Sequence, residues 1–339
     1  MSEFEMEEIA LQLVATSKGI LAADESTGTI KKRLESINVE CTEETRRDYR
    51  ELLFTSEGIS DYISGVILYD ETLRQSSKDG QRLAEILSAQ GIIPGIKVDM
   101  GAKGLAYSEG ELITEGLDGL RERLAEYHDL GARFAKWRAV ISIGNGVPSQ
   151  YCIETNAHAL ARYAALCQEA NIVPIVEPEV LMDGSHSIDE CYAVTETVLK
   201  TVFDELYKQR VVLEQMLLKP NMVISGKECL AQADTEEVAA KTLYCFEQTV
   251  PAAVPGIVFL SGGQSESQAT ENLNTLNETG SHPWEISYSF GRALQSSALK
   301  AWGGKKENVA AAQAAFIQRA RLTSVARDGK YSPDMESTS

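Results

Sequence analysis

The sequence predicts an α/β protein built as a single-domain (β/α)8 TIM barrel. Short apolar runs recur eight times along the 339 residues, helical patterns separate them, and polar residues near their ends return at an almost constant interval. The runs are 19–24, 62–70, 92–99, 133–140, 172–180, 216–223, 256–262 and 286–291. They are rich in Ile, Val and Leu and mostly lack strict alternation, as strands buried on both faces do. Lys136 and Glu177 are 41 residues apart, while Glu177 to Lys219 and Lys219 to Ser261 are 42 each. Each interval holds a strand end, a loop, a long helix and the next strand. A long doubly wound sheet shares that alternation, and the count of eight favours the barrel.

The helices between the runs follow from spacing and capping. Segment 117–131 places Leu117, Leu120, Leu124 and Tyr127 on one stripe and stops at Gly131. Segment 156–171 is dense in Ala and Leu, both strong helix formers. Segment 187–209 opens with Ser187 and Glu190 in capping-box spacing, and 234–249 opens at Asp234 with acidic residues in its first turn. No linker or shift in composition divides the chain. One domain over 1–331 is expected, with a loose tail at 332–339, where Pro and Ser interrupt any pattern.

Composition narrows the function. Apolar residues make up 43% and charged residues 24%, the balance of a globular protein with a core. Thirty-two basic against fifty acidic side chains leave a net charge of −18. Such a surface repels nucleic acid and anionic membranes, so neither is an expected partner. A phosphate ligand would need cations gathered locally. Six cysteines without a close pair point to a reducing, cytoplasm-like compartment. The acidic start MSEFEMEEIALQL lacks the basic n-region and apolar h-region of a signal peptide. No apolar stretch approaches the ~20 residues that cross a bilayer.

The strand ends carry the chemistry. Asp24, Asp70, Lys97, Asp99, Lys136, Arg138, Glu177, Glu179 and Lys219 lie at or near them. In a barrel these ends converge on one mouth, where substrates bind, and buried charges collect there only if paired. Lys219, in MLLKPNMV, has an apolar approach and a rigid proline after it. Desolvation and a nearby lysine such as Lys136 favour a neutral amine, which attacks carbonyls. Glu177 is placed to move protons, and Asp24 adds a second carboxylate. Two lysines with several carboxylates suit Schiff-base chemistry on a ketone.

Two further stretches suit phosphate. SGGQS (261–265) leaves backbone amides open as an anion nest, and SFGRALQ (289–295) sets Gly291 and Arg292 at the next strand-to-helix turn. These are the seventh and eighth strand ends, where barrels place phosphate sites. The basic cluster GTIKKR (28–33) and Lys97 offer a second anion site, or simply a solvated helix face. GxGxxG, GxxxxGK[ST] and HExxH are absent, and the four histidines have no metal spacing. No cofactor and no metal are expected.

The chain resembles the class I fructose-bisphosphate aldolases, the metal-independent Schiff-base branch. The resemblance is carried by KGILAADESTGTIKKRL (18–34), GIKVDMG (95–101), GLDGL (116–120), FAKWR (134–138), ANIVPIVEPEVLMDGSH (170–186), LLKPNMV (217–223), FLSGGQS (259–265) and SYSFGRALQ (287–295), and spans roughly 10–331. It implies a cytosolic or plastidic barrel, usually a homotetramer, that works in glycolysis and gluconeogenesis. The implied reaction is reversible cleavage of fructose 1,6-bisphosphate to dihydroxyacetone phosphate and glyceraldehyde 3-phosphate. Carried over by motif, Lys219 is the Schiff-base lysine and Glu177 the proton-transferring glutamate, with Glu179 beside it. Lys136 supports carbinolamine formation, and Asp24 lies near the C4 hydroxyl. Either Glu177 or Asp24 serves as base for that hydroxyl. Ser261, Gly262, Gly291 and Arg292 match the C1-phosphate site, and Thr29, Lys97 and Arg138 the C6-phosphate end.

Two departures stand out. Many members end in a tyrosine that assists proton exchange, whereas the last tyrosine here is Tyr331. Met100 stands where animal members often carry lysine, which removes a cation. Both leave open the preference between the bisphosphate and fructose 1-phosphate. Sedoheptulose 1,7-bisphosphate cleavage, a noncatalytic scaffold role and a metal-dependent lyase are the competing readings.

Overall fold

The computed structural model describes residues 3–337. Eight parallel strands close into a barrel: β1 (Gly19–Ala23), β2 (Ile63–Leu68), β3 (Ile93–Lys97), β6 (Phe134–Ile141), β7 (Val173–Val180), β8 (Leu217–Leu218), β9 (Gly256–Phe259) and β10 (Glu285–Phe290). Chain order around the ring is kept, with β1 pairing both β2 and β10. Each of the eight sequence runs overlaps one of these strands, although in 216–223 only Leu217 and Leu218 belong to it. A short antiparallel hairpin, β4 (Ala102–Gly104) and β5 (Leu112–Thr114), stands outside the ring after β3. Its three-residue strands are too short to show a period in the sequence.

Parity along the strands explains the interior. Ile20 and Ala22 on β1, Phe134 on β6, Val173 and Ile175 on β7, Leu217 on β8 and Val258 on β9 form an inner apolar cluster. Two residues further up, at the same parity, stand Asp24, Lys136, Glu177 and Lys219. The barrel is thus apolar below and ionisable above, in layers. The helix α1 (Glu3–Leu13) plugs the lower end, with Met6, Ile9, Ala10 and Leu13 in the same cluster. Glycines make room for this packing. A Cβ at Gly65 would stand 2.6 Å from Leu13, and one at Gly256 would stand 2.6 Å from Val14. At Gly95 it would enter the Phe134 ring.

The outer layer follows the predicted caps. The helix α2 (Thr27–Glu35) crosses from β1, and α3 (Glu43–Phe54) leads back to the barrel floor. After β2 come α4 (Asp70–Arg74) and α5 (Leu83–Ala89). The helix α6 (Leu120–Asp129) starts after left-handed Gly119 rather than at 117. The helix α7 (Gln150–Glu169) starts before 156, because the Ser149 side chain caps the Cys152 N–H at 3.1 Å. The helix α8 (Ile188–Lys208) has both bonds of the Ser187/Glu190 capping box, and Asp234 caps α9 (Thr235–Thr249). The helices α10 (Glu266–Glu278), α11 (Arg292–Trp302) and α12 (Val309–Arg327) complete the ring.

In the stretch expected to be a loose tail, Pro333–Ser337 form a short 3-10 turn. Glu336 of that turn binds Arg319 at 2.8 Å and accepts the Tyr331 hydroxyl at 2.8 Å. Residues 338–339 lie outside the described residues. Among the described residues, no helix is long and apolar enough to cross a membrane.

Candidate active site

The strand ends open into a cavity of about 510 Å³ at the upper mouth. It brings together Asp24, Thr29, Lys97, Asp99, Lys136, Arg138, Glu177, Glu179, Lys219, Ser261, Gly262, Gly291 and Arg292, the residues singled out for chemistry with one exception. Asp70 is the strand-end exception. It begins α4 and pairs with Arg74, away from the cavity.

Local structure sets each side chain. On β6 and β7 the register pairs Arg138 with Glu177 and Val140 with Glu179, so the charged residues of both strands rise together. The strand β8 ends before Lys219. Pro220 has no N–H to continue the ladder, and the Asn221 side chain accepts the Val180 N–H at 3.0 Å instead. The Lys219 N–H still donates to the Val176 carbonyl at 2.8 Å, which holds its Cα beside Glu177.

The centre is a chain of opposite charges. Lys136 Nζ lies 2.7 Å from Asp24 and 3.1 Å from Glu177 Oε2. Lys219 Nζ lies 3.2 Å from Glu177 Oε1. Glu177 therefore bridges the two lysines, and all three side chains are 4% exposed. Burial alone would raise the Asp24 and Glu177 carboxyls, but Lys136 and then Lys219 outweigh it and hold both below their ordinary values. Burial presses the Lys136 ammonium down, yet Asp24 and Glu177 hold it well above its ordinary value. Lys136 is thus a fixed cation and both carboxylates are ionised at neutral pH. Glu179 forms an ion pair with Arg138, which leaves Glu177 as the carboxylate in reach of Lys219.

The rim is cation-rich despite the net charge of −18. Lys32, Arg33, Lys97, Lys136, Arg138, Lys219 and Arg292 line the cavity against Asp24, Glu25, Asp99, Glu177 and Glu179. Gly262 and Gly263 are consecutive left-handed residues, at φ 57° and 92°, which opens their backbone N–H groups. Arg292 is the first residue of α11 and has no ion-pair partner among the described residues.

Of the second anion set, Lys97 is paired with Asp99 at 3.4 Å and Arg138 with Glu179, while Thr29 stands on α2. The basic cluster 28–33 resolves by helix phase. Lys31 pairs outward with Glu35, whereas Lys32 and Arg33 face the cavity. Met100 is 65% exposed and leaves an uncharged position beyond β3.

Sequence reasoning missed the support beneath this rim. Arg50 is 2% exposed and donates to the Ala23 carbonyl at 3.0 Å and to Glu25 at 2.7 Å. Glu25 also binds Arg33 and accepts from Gln295 at 3.0 Å. This ties the end of β1, next to Asp24, to α2, α3 and α11. No sequence signal joins residues 25, 50 and 295. Among the described residues, no group of three or more His, Cys, Asp or Glu is arranged to hold a metal.

Comparison with known proteins decides the family. The family model described as fructose-bisphosphate aldolase class-I matches residues 5–339. The chain belongs to the class I fructose-bisphosphate aldolases. It is 58% identical over 332 residues to a probable class 1 aldolase of Xanthomonas axonopodis pv. citri, covering 98% of this chain and 99% of that one. It is 54% identical over 320 residues to cytosolic fructose-bisphosphate aldolase 4 of Arabidopsis thaliana, covering 94% and 81%. A solved structure of the Plasmodium falciparum aldolase, in complex with TRAP and a small molecule inhibitor, is similar at a TM-score of 0.96 and 51% identity. It covers 97% of this chain and 95% of that one. In this aldolase fold the layered barrel and its cation-rich mouth are one unit, since the strands that pack the floor also carry the charged cluster.

Proposed function

We propose that the chain reversibly cleaves fructose 1,6-bisphosphate to dihydroxyacetone phosphate and glyceraldehyde 3-phosphate, with Lys219 as the Schiff-base nucleophile. The observation that carries the assignment of roles is the Glu177 carboxylate, set between Lys219 at 3.2 Å and Lys136 at 3.1 Å. The Lys219 amine adds to the C2 ketone. Glu177 shuttles a proton to the carbinolamine hydroxyl, which leaves as water, and Lys136 balances the charge. The protonated imine is then an electron sink. Glu177 or Asp24 takes the proton of the C4 hydroxyl, and the C3–C4 bond breaks. Its electron pair becomes the enamine, and the aldehyde departs. Protonation at C3 and hydrolysis of the imine free the second product and regenerate Lys219.

The phosphate grips supply orientation. Ser261, Gly262, Gly291 and Arg292 take the C1 phosphate. Lys32, Arg33 and Thr29 on α2, with Lys97 and Arg138 beneath, take the C6 end. Sedoheptulose 1,7-bisphosphate presents the same C1 end, and relative kcat/KM ranks the sugars. A homotetramer working in the cytoplasm fits the family, and two of the similar plant proteins are named as cytosolic; sedimentation tests the assembly.

The test of the mechanism is borohydride reduction in the presence of fructose 1,6-bisphosphate and excess EDTA, followed by peptide mapping. A stable adduct on the peptide holding Lys219 is expected. Cleavage without an adduct on that peptide would overturn the assignment of the nucleophile, and loss of cleavage in EDTA would overturn metal independence.

A further inference from the structure

We propose that Lys227 is a second cation of the ketose-phosphate grip, acting with Arg292 across Gly263. This rests on the reading that the C1 phosphate sits at Ser261, Gly262, Gly291 and Arg292. Lys227 lies eight residues after Lys219, in the loop that follows β8. Three backbone hydrogen bonds tie that loop to the one after β7: Gly226 N–H to His186 O at 2.9 Å, Lys227 N–H to Met182 O at 2.8 Å, and Glu228 N–H to Gly184 O at 2.9 Å. The backbone of Lys227 is therefore fixed against the loop after β7.

Its side chain reaches the glycine nest. A Cβ at Gly263 would stand 3.0 Å from Lys227 Nζ and 3.2 Å from Arg292 Nη2. An ammonium from the β8 loop and a guanidinium from α11 converge on one point beside two consecutive left-handed glycines. Like charges brought this close repel, and an anion between them turns the repulsion into binding. Glycine at 263 lets both cations approach a backbone that any side chain would hold them away from.

Lys227 has a partner while it waits. Its Nζ lies 3.0 Å from Asp183 Oδ1, and the two side chains are 42% and 65% exposed. An exposed carboxylate is a weak, screened partner. A phosphate dianion already held by Arg292 and the nest is a stronger one. Asp183 holds the ammonium in the meantime and gives it up when phosphate arrives. The ligand class is a sugar or triose carrying a phosphate ester next to its carbonyl. Lys227 thus serves every such substrate alike, whatever stands at the far end.

The experiment compares Lys227→Met with the unaltered chain. Removing a half-exposed charge-assisted contact is expected to raise KM about fivefold to tenfold. The rise should be the same for fructose 1,6-bisphosphate and fructose 1-phosphate, with kcat within about twofold. Calorimetry with dihydroxyacetone phosphate should weaken by the same factor, and Lys227→Arg should restore most of it. Asp183→Asn, which frees the ammonium, should lower KM and gives an independent reading if Lys227→Met does not fold. Unchanged KM for both sugars in Lys227→Met, while Arg292→Ala raises both, would overturn the role of Lys227. Unchanged KM in Arg292→Ala would overturn the C1-phosphate placement beneath it.

Discussion

Replacing Lys136 with methionine removes the cation on which the centre of the barrel depends. Lys136 faces Asp24 at 2.7 Å and Glu177 at 3.1 Å, and the three side chains are 4%, 14% and 4% exposed. Removing one partner of a buried pair costs about 3–5 kcal/mol, because the other charge is left uncompensated. Lys219 stays 3.2 Å from Glu177, and Asp24 meets the cavity, so the lower end applies. Unfolding entropy scales with length, so a loss of about 3 kcal/mol in a chain of this size lowers Tm by roughly 4 °C.

The pH dependence separates charge from packing. In the unaltered chain Asp24 and Glu177 sit below 3.8 and 4.5, so their stabilisation is present above those values and is lost as pH falls through the lowered ones. Lys136 sits above 10.5, so its share is complete below that pH and is lost as pH rises through the raised value. In the variant, burial still pushes the carboxyls up and the main opposing cation is gone. They take up protons on mild acidification, and the deficit shrinks by roughly 1–2 kcal/mol between about pH 8 and about pH 5. Urea denaturation at fixed protein concentration, at both pH values, measures it. A deficit that is the same at both would refute the electrostatic reasoning and leave only lost packing.

Lys32→Met should raise KM for fructose 1,6-bisphosphate about tenfold, as loss of a charge-assisted contact does, and leave fructose 1-phosphate unaffected. Steady-state kinetics on the two sugars checks this, and an equal rise for both would remove Lys32 from the C6 end. Gly65→Ala sets a methyl 2.6 Å from Leu13 and 3.1 Å from Phe134, where overpacking costs about 1–3 kcal/mol. The urea midpoint should fall with the m-value unchanged. Arg50→Met leaves Glu25 with less neutralisation and frees the end of β1. It should cost about 3 kcal/mol in stability and lower kcat, measured by denaturation and by assay of the folded fraction.

The barrel was legible because the signal for a strand buried on both faces is local composition. Eight apolar runs, separated by amphipathic segments with Ser187 and Asp234 as caps, need no knowledge of what packs on what. Catalytic candidates were legible for a related reason. A lysine in MLLKPNMV or a glutamate in VPIVEPE contradicts its surroundings, and such contradictions gather where strand ends meet. The parity that sets Lys136 two residues above Phe134, and Glu177 two above Ile175, was also written in the chain. It was hidden because both strand faces are apolar.

What the sequence alone determined, then, is whatever depends on near neighbours: the element types, their caps, and which residues are chemically out of place. Only the tertiary structure decided the meetings between distant loops. It put Glu177 between two lysines, turned Lys31 outward and Lys32 inward, and joined Glu25, Arg50 and Gln295 under the rim. It also brought Lys227 and Arg292 to the same glycine across 65 residues of chain. These are ångström-scale distances between side chains on different strands and loops. They follow from barrel closure and strand register, which are properties of the whole ring rather than of any segment.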